Sequence, residues 1–246
     1  MLLCVDIGNT NITFGIFKGM RLLKVFDIPT DRYAFIKLKR ALGRVKVRNS
    51  IICSVVPQIT GKLAYNLRNL TKTRPQIIGK DIFVPIKNRY RKPKEVGQDR
   101  LVNAYAATRL YGTPAIAIDF GTGVTFDIIS KKGEYLGGMI LPGLKISLEA
   151  LHMRTALLPN VKLDNPKELI GRDTKNSILS GIVYGYAALT DNLIVKIKNK
   201  IGRNAEVIAT GGSSVFISRY CRMIKRVCPD LTLKGMMLIH KSEKNS

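Results

Sequence analysis

Two stretches of this chain, residues 2–17 and 115–130, repeat one another. They read LLCVDIGNTNITFGIF and AIAIDFGTGVTFDIIS, and aligning Asp6 with Asp119 also aligns the glycines two residues later. Each stretch is an apolar strand that ends in Asp, a glycine-centred turn, and a second β-prone run. Such a turn lets backbone N–H groups approach an anion, and its carboxylate can reach a hydrated cation. Two copies in one chain predict a duplicated fold with a nucleotide held between its halves.

The length and composition of the chain suit two packed halves. The 246 residues are 46% hydrophobic and 24% charged, so the chain can bury real cores and is not disordered. The best candidate for a boundary is the break between Gly112 and Pro114. It divides the chain into an N-terminal half, residues 1–113, and a C-terminal half, residues 114–246.

The sequence shows no pattern of a membrane segment or a secretion signal. We find no apolar run long enough to span a bilayer. The opening MLLCVDIGNT leads directly into a strand, without a basic region or a small-residue cleavage site. We therefore expect a cytoplasmic protein that has no membrane partner.

Cysteine and histidine are too sparse for the common metal and catalytic sites. The chain has four cysteines, which form no C-x-x-C pair, and two histidines. Cys4 and Cys53 lie within strand-like runs, where buried free thiols are common. A zinc site, a disulfide framework and a Ser-His-Asp triad are therefore not expected.

The net charge of +24 is unusually high. Residues 1–113 carry 22 basic and 6 acidic side chains, whereas residues 114–246 carry 19 and 11, so two thirds of the excess lies in the first half. Such a field attracts nucleic acid and other polyanions, ATP included. A composition bias shared by all proteins of the host would give the same excess, and we favour that explanation.

Strand and helix patterns recur in both halves. The first half predicts strands at 2–7, 12–17, 21–28, 50–56 and 76–79, and helices at 32–43, 57–70 and 99–111. The second half predicts the hairpin that begins at 115–119, a strand and turn at 135–143, a helix from near Lys145, a long helix at about 174–201, and a strand-turn-helix start at 207–214. This layout is typical of an α/β sheet with helices on its faces.

The first hairpin is a candidate phosphate loop formed by Asp6, Gly8, Asn9, Thr10 and Thr13. An ordinary β-turn would also use Asp and Asn as turn residues. We favour the phosphate loop because the motif recurs and because it follows a buried strand.

The second hairpin supplies a partner loop with Asp119, Gly121 and Thr122. The carboxylate could ligate a cation, and the threonine hydroxyl could donate to a phosphate oxygen. A turn-forming or capping Asp is the alternative, and the repeat again favours the functional interpretation.

The tetrapeptide Gly97-Gln98-Asp99-Arg100 is the main candidate site outside the hairpins. Asp99 falls at a predicted helix N-terminus, where the helix dipole favours carboxylates and bound anions. Simple N-capping by Asp99 explains the residues equally well. An Asp that accepts a hydroxyl proton, beside an Arg that pairs with a substrate anion, would suit phosphoryl transfer.

Two further segments keep more than one interpretation. Residues 210–213, Thr-Gly-Gly-Ser, would let a nucleotide approach the backbone, or form only a tight turn. Residues 87–94 hold five Lys and Arg with Tyr90 among them. This basic loop could be a nucleic-acid patch, a lid over an anionic substrate or a solvated face.

Taken together, these motifs resemble those of the type III pantothenate kinases, within the superfamily of acetate and sugar kinases, Hsp70 and actin. The resemblance covers essentially the whole chain, and the order and spacing of the motifs agree. The motifs are DIGNTN (6–11), the segment from Tyr90 to GQDR (90–100), DFGTGVT (119–125), GGMILPG (137–143), TALLP (155–159), GRDT…SG…YG (171–185) and ATGG (209–212). Gly123 replaces the alanine that is common in the family, which should loosen the turn without removing a ligand.

The resemblance implies a fold and a set of ligands. The fold would be α/β, with duplicated ribonuclease H-like (actin-like ATPase) domains, mixed β-sheets flanked by helices, and the nucleotide in the cleft between them. The protein would use ATP with Mg²⁺ to phosphorylate pantothenate, and K⁺ or NH₄⁺ would act as a second cofactor. The family is homodimeric, and the helix at about 174–201 is our candidate for much of the interface.

The resemblance also assigns roles to individual residues. Asp99 would be the base, Asp6 would lie near Mg²⁺, and Asp119 would ligate K⁺. ATP would be bound by Asp6, Ile7, Gly8, Asn9, Thr10, Asn11, Ile12, Thr13 and Thr122. Pantothenate would be bound by Tyr90, Gly97, Gln98, Asp99, Arg100 and Thr174.

Two alternatives to this function stay open at the level of sequence. A regulatory or nucleic-acid-binding protein on the same fold would account for the basic first half, but the retention of the four candidate residues Asp6, Asp99, Arg100 and Asp119 disfavours it. A kinase for another small hydroxylated substrate would share the ATP site and differ only in the substrate pocket.

Overall fold

A computed structural model describes residues 1–244, and they form two compact units. The first unit contains residues 1–86, 92–106 and 232–244, and the second contains residues 87–91 and 107–231. The C-terminal helix therefore belongs to the first unit, although it lies in the predicted C-terminal half. The halves 1–113 and 114–246, as independent domains, stay a prediction.

Ten strands and seven α-helices lie in the described residues. In chain order they are β1 (Leu2–Ile7), β2 (Asn11–Lys18), β3 (Arg21–Pro29), α1 (Phe35–Leu42), β4 (Asn49–Ser54), α2 (Pro57–Thr71), β5 (Gln76–Ile77), α3 (Gln98–Tyr111), β6 (Ala115–Phe120), β7 (Gly123–Ile129), β8 (Tyr135–Pro142), α4 (Leu144–Met153), α5 (Thr174–Ile201), β9 (Glu206–Thr210), α6 (Ser214–Ile217), β10 (Arg226–Val227) and α7 (Leu231–Lys244). Short 3₁₀ turns occupy Thr30–Arg32 and Pro93–Glu95.

The first unit is built on a five-stranded mixed sheet in the order β3-β2-β1-β4-β5. The hairpin pairs β1 with β2 in antiparallel fashion, β3 extends it, and β4 and β5 run parallel to β1. The fully apolar centre of β4 is buried throughout, as expected of a strand inside a parallel sheet. One prediction needs adjusting, because α1 starts at Phe35 and not at residue 32. The backbone of Tyr33 and Ala34 is extended, which separates the helix from the preceding 3₁₀ turn.

The second unit repeats this topology. Its sheet has the order β8-β7-β6-β9-β10. This matches the order of the first sheet, with β6, β7 and β8 in the places of β1, β2 and β3, and β9 and β10 in the places of β4 and β5. The antiparallel and parallel pairings also correspond, and Asp119 pairs with Thr125 as Asp6 pairs with Thr13. The duplication that the repeated motif predicts is therefore confirmed. The turns differ by one residue, since residues 8–11 link the paired ends of the first hairpin and residues 121–123 those of the second.

Helix α5 corrects the expectation that no apolar segment could span a membrane. It has 28 residues and is long and apolar enough to cross a bilayer by length and composition alone. Glycine, serine and tyrosine interrupt the apolar residues of its first half, so its length is not evident as one continuous aliphatic run. Part of the helix packs into the core of the second unit through Val183, Ala187, Ile194 and Ile197. The core helix of a soluble protein passes the same test, so the finding is weak evidence for a membrane segment.

Candidate active site

The turn of the first hairpin is held in place by Thr30. The Gly8 N–H donates to the Asn11 carbonyl at 3.0 Å, which closes the turn. The hydroxyl of Thr30 donates to the Gly8 carbonyl at 2.7 Å, and its backbone N–H donates to the Thr10 carbonyl at 2.9 Å. Asn9, Thr10 and Asn11 are exposed, so the turn presents a polar surface to solvent. Thr30 belongs to no recognisable motif, and sequence reasoning missed its role.

Two residues predicted to bind ATP have buried side chains. Ile7 and Ile12 are fully buried in the core of the first unit. Any contribution that they make to a phosphate loop must therefore come from their backbone groups. Their side chains serve instead to fix the strands on either side of the turn.

Asp6, Cys53 and Asp99 converge on one face of the first sheet. Asp6 lies opposite Cys53 in the parallel pairing of β1 with β4, and both lie near the carboxyl ends of their strands. Cys53 packs in one buried cluster with Val102 of α3, which lies one helical turn after Asp99. Because side chains alternate along a strand and recur every turn of a helix, the three groups face the same side of the sheet.

The electrostatics of Cys53 support this arrangement. Burial raises the pKa of the Cys53 thiol well above its ordinary value, and the carboxylates of Asp6 and Asp99 raise it further. Both carboxylates therefore act on one thiol within the first unit. The buried Cys4, on the same face of the same sheet, has its pKa raised by burial alone. Sequence reasoning treated Cys53 as an ordinary buried thiol, because strand parity alone does not tell which helix covers it.

Asp99 lies in the first turn of α3 as predicted, and its surroundings favour proton uptake. Burial raises the pKa of its carboxyl, although the hydrogen bond and the charge of Arg100 oppose that shift. The Arg100 N–H donates to Asp99 Oδ1 at 2.9 Å, which fixes the carboxylate. A Cβ at Gly97 would collide with the same Oδ1, so a larger residue there would have to displace the carboxylate. The Gln98 side chain packs against Gly79, which has a φ of +84°.

The second unit holds Asp119 among glycines. Asp119 lies near the end of β6, opposite Thr210 of β9. A Cβ at Gly211, where φ is +86°, would collide with Asp119 Oδ1, and one at Gly121 would lie 3.1 Å from that atom. The backbone at Gly121 and the backbone at Gly211 therefore both lie close to the Asp119 carboxylate. The sequence singled out residues 210–213 without a partner, and the structure places Gly211 against Asp119.

Thr122 belongs to the same turn and is exposed. Its carbonyl accepts a hydrogen bond from the Gly143 N–H at 3.0 Å, and a Cβ at Gly143 would collide with that carbonyl. The glycine that ends the GGMILPG motif is therefore needed for the close approach of the segment after β8 to the second hairpin. The hydroxyl-bearing side chain of Thr122 is left on the surface.

Tyr90 and Thr174, the remaining candidate substrate residues, also lie in the second unit. Tyr90 packs beside Gly137 and Tyr135 of β8, and its N–H donates to Asn88 Oδ1 at 2.9 Å. Thr174 is the exposed first residue of α5. The preceding Asp173 caps that helix by accepting from the Asn176 N–H at 2.8 Å, and this hydrogen bond lowers the pKa of its carboxyl.

The described residues bring carboxylates to both hairpins but form no metal cage. Within residues 1–244 no three His, Cys, Asp or Glu side chains cluster in a way that could hold a metal ion. Magnesium in phosphoryl-transfer enzymes is commonly held by one or two carboxylates together with the phosphates of the nucleotide. A single Asp6 beside a polar turn suits that kind of binding, and Asp119 among backbone groups offers oxygen ligands to a hard cation.

The chain was compared with known proteins. The family model for type III pantothenate kinase matches residues 2–196. A type III pantothenate kinase of Geobacter sp. (strain M21) is 41% identical over 254 residues, which cover 99% of this chain and 100% of the relative. The enzyme of the same name from Moorella thermoacetica is 39% identical over 251 residues, covering 98% and 99%.

Solved structures agree on the fold. A candidate Baf family transcriptional activator from Campylobacter jejuni superposes with a TM-score of 0.64 at 22% identity, covering 99% of this chain and 100% of the other. A polyphosphate/ATP-glucomannokinase from Arthrobacter sp. strain KM gives 0.51 at 15% identity, with 98% of each chain covered. At these identities the likeness shows the fold alone. It confirms the predicted α/β architecture of actin-like ATPases and sugar kinases. By family match and by the identity of its relatives, this chain belongs to the type III pantothenate kinase family.

Proposed function

We propose that this protein transfers the terminal phosphoryl group of ATP to the primary hydroxyl of pantothenate, forming 4′-phosphopantothenate in the first step of coenzyme A synthesis. The family supports the reaction. The observation that carries the assignment to residues is Asp99, a half-buried carboxylate with a raised pKa on the same sheet face as Asp6.

Asp99 acts as the general base in this proposal. A base works best when its pKa approaches the working pH, and burial moves the pKa of Asp99 in that direction. The hydrogen bond from the Arg100 N–H holds the carboxylate in one orientation, so its other oxygen can accept the hydroxyl proton. The protein forms no covalent intermediate in this proposal, because catalysis of phosphoryl transfer depends mainly on positioning and electrostatics.

The ATP phosphates bind at the turn of the first hairpin, residues 6–13, with Thr122 as a further contact. The exposed polar residues of that turn and its closed backbone support this assignment. Asp6 would hold Mg²⁺, which neutralises negative charge on the phosphates when it is bound. Asp119 would hold a monovalent cation, K⁺ or NH₄⁺, among the oxygens of its own turn.

Pantothenate binds through Tyr90, Gly97, Gln98, Asp99, Arg100 and Thr174. We further propose that the protein is a cytoplasmic homodimer to which α5 contributes an interface. Support for the interface comes from the exposed side of α5, where Leu189 and Val195 are 37% and 45% exposed in the single chain.

The test is the release of ADP by the purified protein with Mg-ATP and pantothenate, measured in K⁺ and then in Na⁺. Pantothenate-dependent turnover supports the reaction, and a requirement for K⁺ supports the cation site. Turnover with pantothenate in both salts would retain the reaction and reject the K⁺ site. Absence of turnover in both salts would contradict the proposed function.

A further inference from the structure

The second unit buries a carboxylate that the proposed reaction does not use. Asp127 lies in β7 and is fully buried. The hydroxyl of Tyr135 donates to Asp127 Oδ1 at 3.1 Å, and the hydroxyl of Thr125 donates to Oδ2 at 3.3 Å. Burying a carboxylate costs free energy unless hydrogen bonds offset the loss of water, so these two hydrogen bonds are needed to keep Asp127 in the core.

Tyr135, whose phenol donates to Asp127, also packs beside the candidate substrate residue Tyr90. Tyr135 is itself fully buried, and its ring centroid lies 6.4 Å from that of Tyr90 at an interplanar angle of 36°. The Tyr90 ring is also close to Gly137, where a Cβ would lie 3.3 Å from it and where φ is +123°. The ring of Tyr90 is thus seated against one aromatic side chain and one bare stretch of backbone.

The segment around Tyr90 is held against β8 by backbone hydrogen bonds and ion pairs. The Tyr135 N–H donates to the Lys87 carbonyl at 2.9 Å, and the Arg89 N–H donates to the Tyr135 carbonyl at 2.8 Å. Glu134 forms ion pairs with Lys87 at 3.4 Å and with Arg89 at 2.8 Å. These contacts make residues 87–90 a short extension along β8, with Tyr135 at its centre.

We propose that Tyr135 is a positioning residue for pantothenate. It seats the ring of Tyr90, and Asp127 fixes Tyr135 through the phenol hydrogen bond. Because Tyr135 is fully buried, it reaches the substrate only through Tyr90. The inference rests on the proposed function, and specifically on Tyr90 as a pantothenate contact.

The experiment is a double-mutant cycle on the full-length enzyme. Tyr90→Ala, Tyr135→Leu and the double variant are compared with wild type for the KM of pantothenate, the KM of ATP and kcat. We expect each single change to raise the KM of pantothenate roughly tenfold, as for a lost contact worth about one hydrogen bond. The KM of ATP should stay within about twofold of wild type. If Tyr135 acts through Tyr90, the double variant shows no larger effect than the stronger single change.

A milder variant keeps the test decisive if Tyr135→Leu does not fold. Tyr135→Phe retains the ring and removes only the hydrogen bond to Asp127, and we expect a roughly threefold rise in the KM of pantothenate. That rise should disappear in the Tyr90→Ala background. Tyr220→Phe is the matched control, because it removes a phenol hydrogen bond of 2.8 Å to Asn165 elsewhere in the same unit. Its KM for pantothenate should equal that of wild type.

The outcomes separate the two levels of the proposal. Effects that multiply in the double variant, or a Tyr135 variant with an unchanged KM for pantothenate, would overturn the role of Tyr135 and leave the kinase assignment intact. An equal rise in both KM values would overturn it as well, because it would indicate a general structural defect. A wild-type protein without pantothenate-dependent ADP release would overturn both.

Discussion

Replacing the candidate base, Asp99→Asn, tests the active site by two independent measurements. The amide retains the size of the side chain and can still accept the hydrogen bond from the Arg100 N–H, but it cannot accept a proton from the substrate. A positioned general base contributes about 10²–10⁴-fold to a rate, so we expect kcat to fall by a factor in that range. The turn that would hold the ATP phosphates lies in a separate hairpin, so the Kd for ATP should stay within about twofold.

The same substitution should stabilise the protein at neutral pH. Burial raises the pKa of Asp99 in the folded protein above its ordinary value of 3.8, so the folded state binds that proton more tightly than the unfolded state does. Stability from this group is fully present below the unfolded pKa and is lost as pH rises through the folded pKa. At pH 7 the wild type therefore carries an ionised, partly desolvated carboxylate that the amide variant lacks. We expect a higher Tm for Asp99→Asn at pH 7, and a difference that shrinks as the pH falls towards 3.8.

The assays are steady-state ADP release, calorimetric titration with ATP, and thermal melting from pH 7 downward. Asp164→Asn is the control, because Asp164 accepts the N–H of the next residue at 2.8 Å as Asp99 does, but is exposed. It should match wild type in kcat. A kcat for Asp99→Asn within tenfold of wild type would refute the role as base. A lower Tm at pH 7 would refute the argument from burial, whatever the effect on the rate.

Three further predictions concern other parts of the molecule. Gly211→Ala should weaken activation by K⁺ several-fold, because its Cβ would collide with Asp119. Gly212→Ala is the control, because Gly212 has open space around it, and equal K⁺ titrations for the two variants would contradict the cation site. Cys53→Ala should lower kcat several-fold, because it leaves a void beside Asp6 and Asp99. Cys4→Ala should lower only the Tm, so equal kcat values for the two variants would rule out a role for Cys53. If the basic first half binds duplex DNA, binding should weaken by orders of magnitude between about 50 and 200 mM salt, and such binding by a protein that shows no pantothenate-dependent ADP release would support the nucleic-acid alternative.

The order of elements and the duplication could be predicted from sequence because they depend on local patterns. The strand before Asp6 and the strand before Asp119 are short apolar runs with glycine turns, and each reads in the same way without knowledge of its neighbours. The start of α3 at Gln98 lies within one residue of the predicted start at Asp99 for the same reason.

The contacts around the site could not be predicted, because they depend on pairing between distant segments. Thr30 reaches the turn at Gly8 only because β3 pairs alongside β2, and Gly211 meets Asp119 only because β9 pairs with β6. Nor does any local pattern indicate that α7 returns to the first unit. Its Thr232 hydroxyl donates to Asn103 of α3 at 2.8 Å, 129 residues away in sequence.

The two copies of the hairpin explain how one duplicated unit could acquire different roles. Gly15 and Asp127 occupy equivalent positions, each two residues after the threonine that pairs with the motif Asp. In the first unit, Leu233 of α7 fills the space over Gly15, where a Cβ would lie 2.9 Å from that side chain. In the second unit the equivalent position carries a carboxylate that binds Tyr135. The first copy thus has an apolar cover at this position, and the second has a buried carboxylate that accepts a hydrogen bond from Tyr135. This divergence predicts that Gly15→Asp, which would place a carboxylate against Leu233, unfolds the first unit and does not create a second buried carboxylate of this kind.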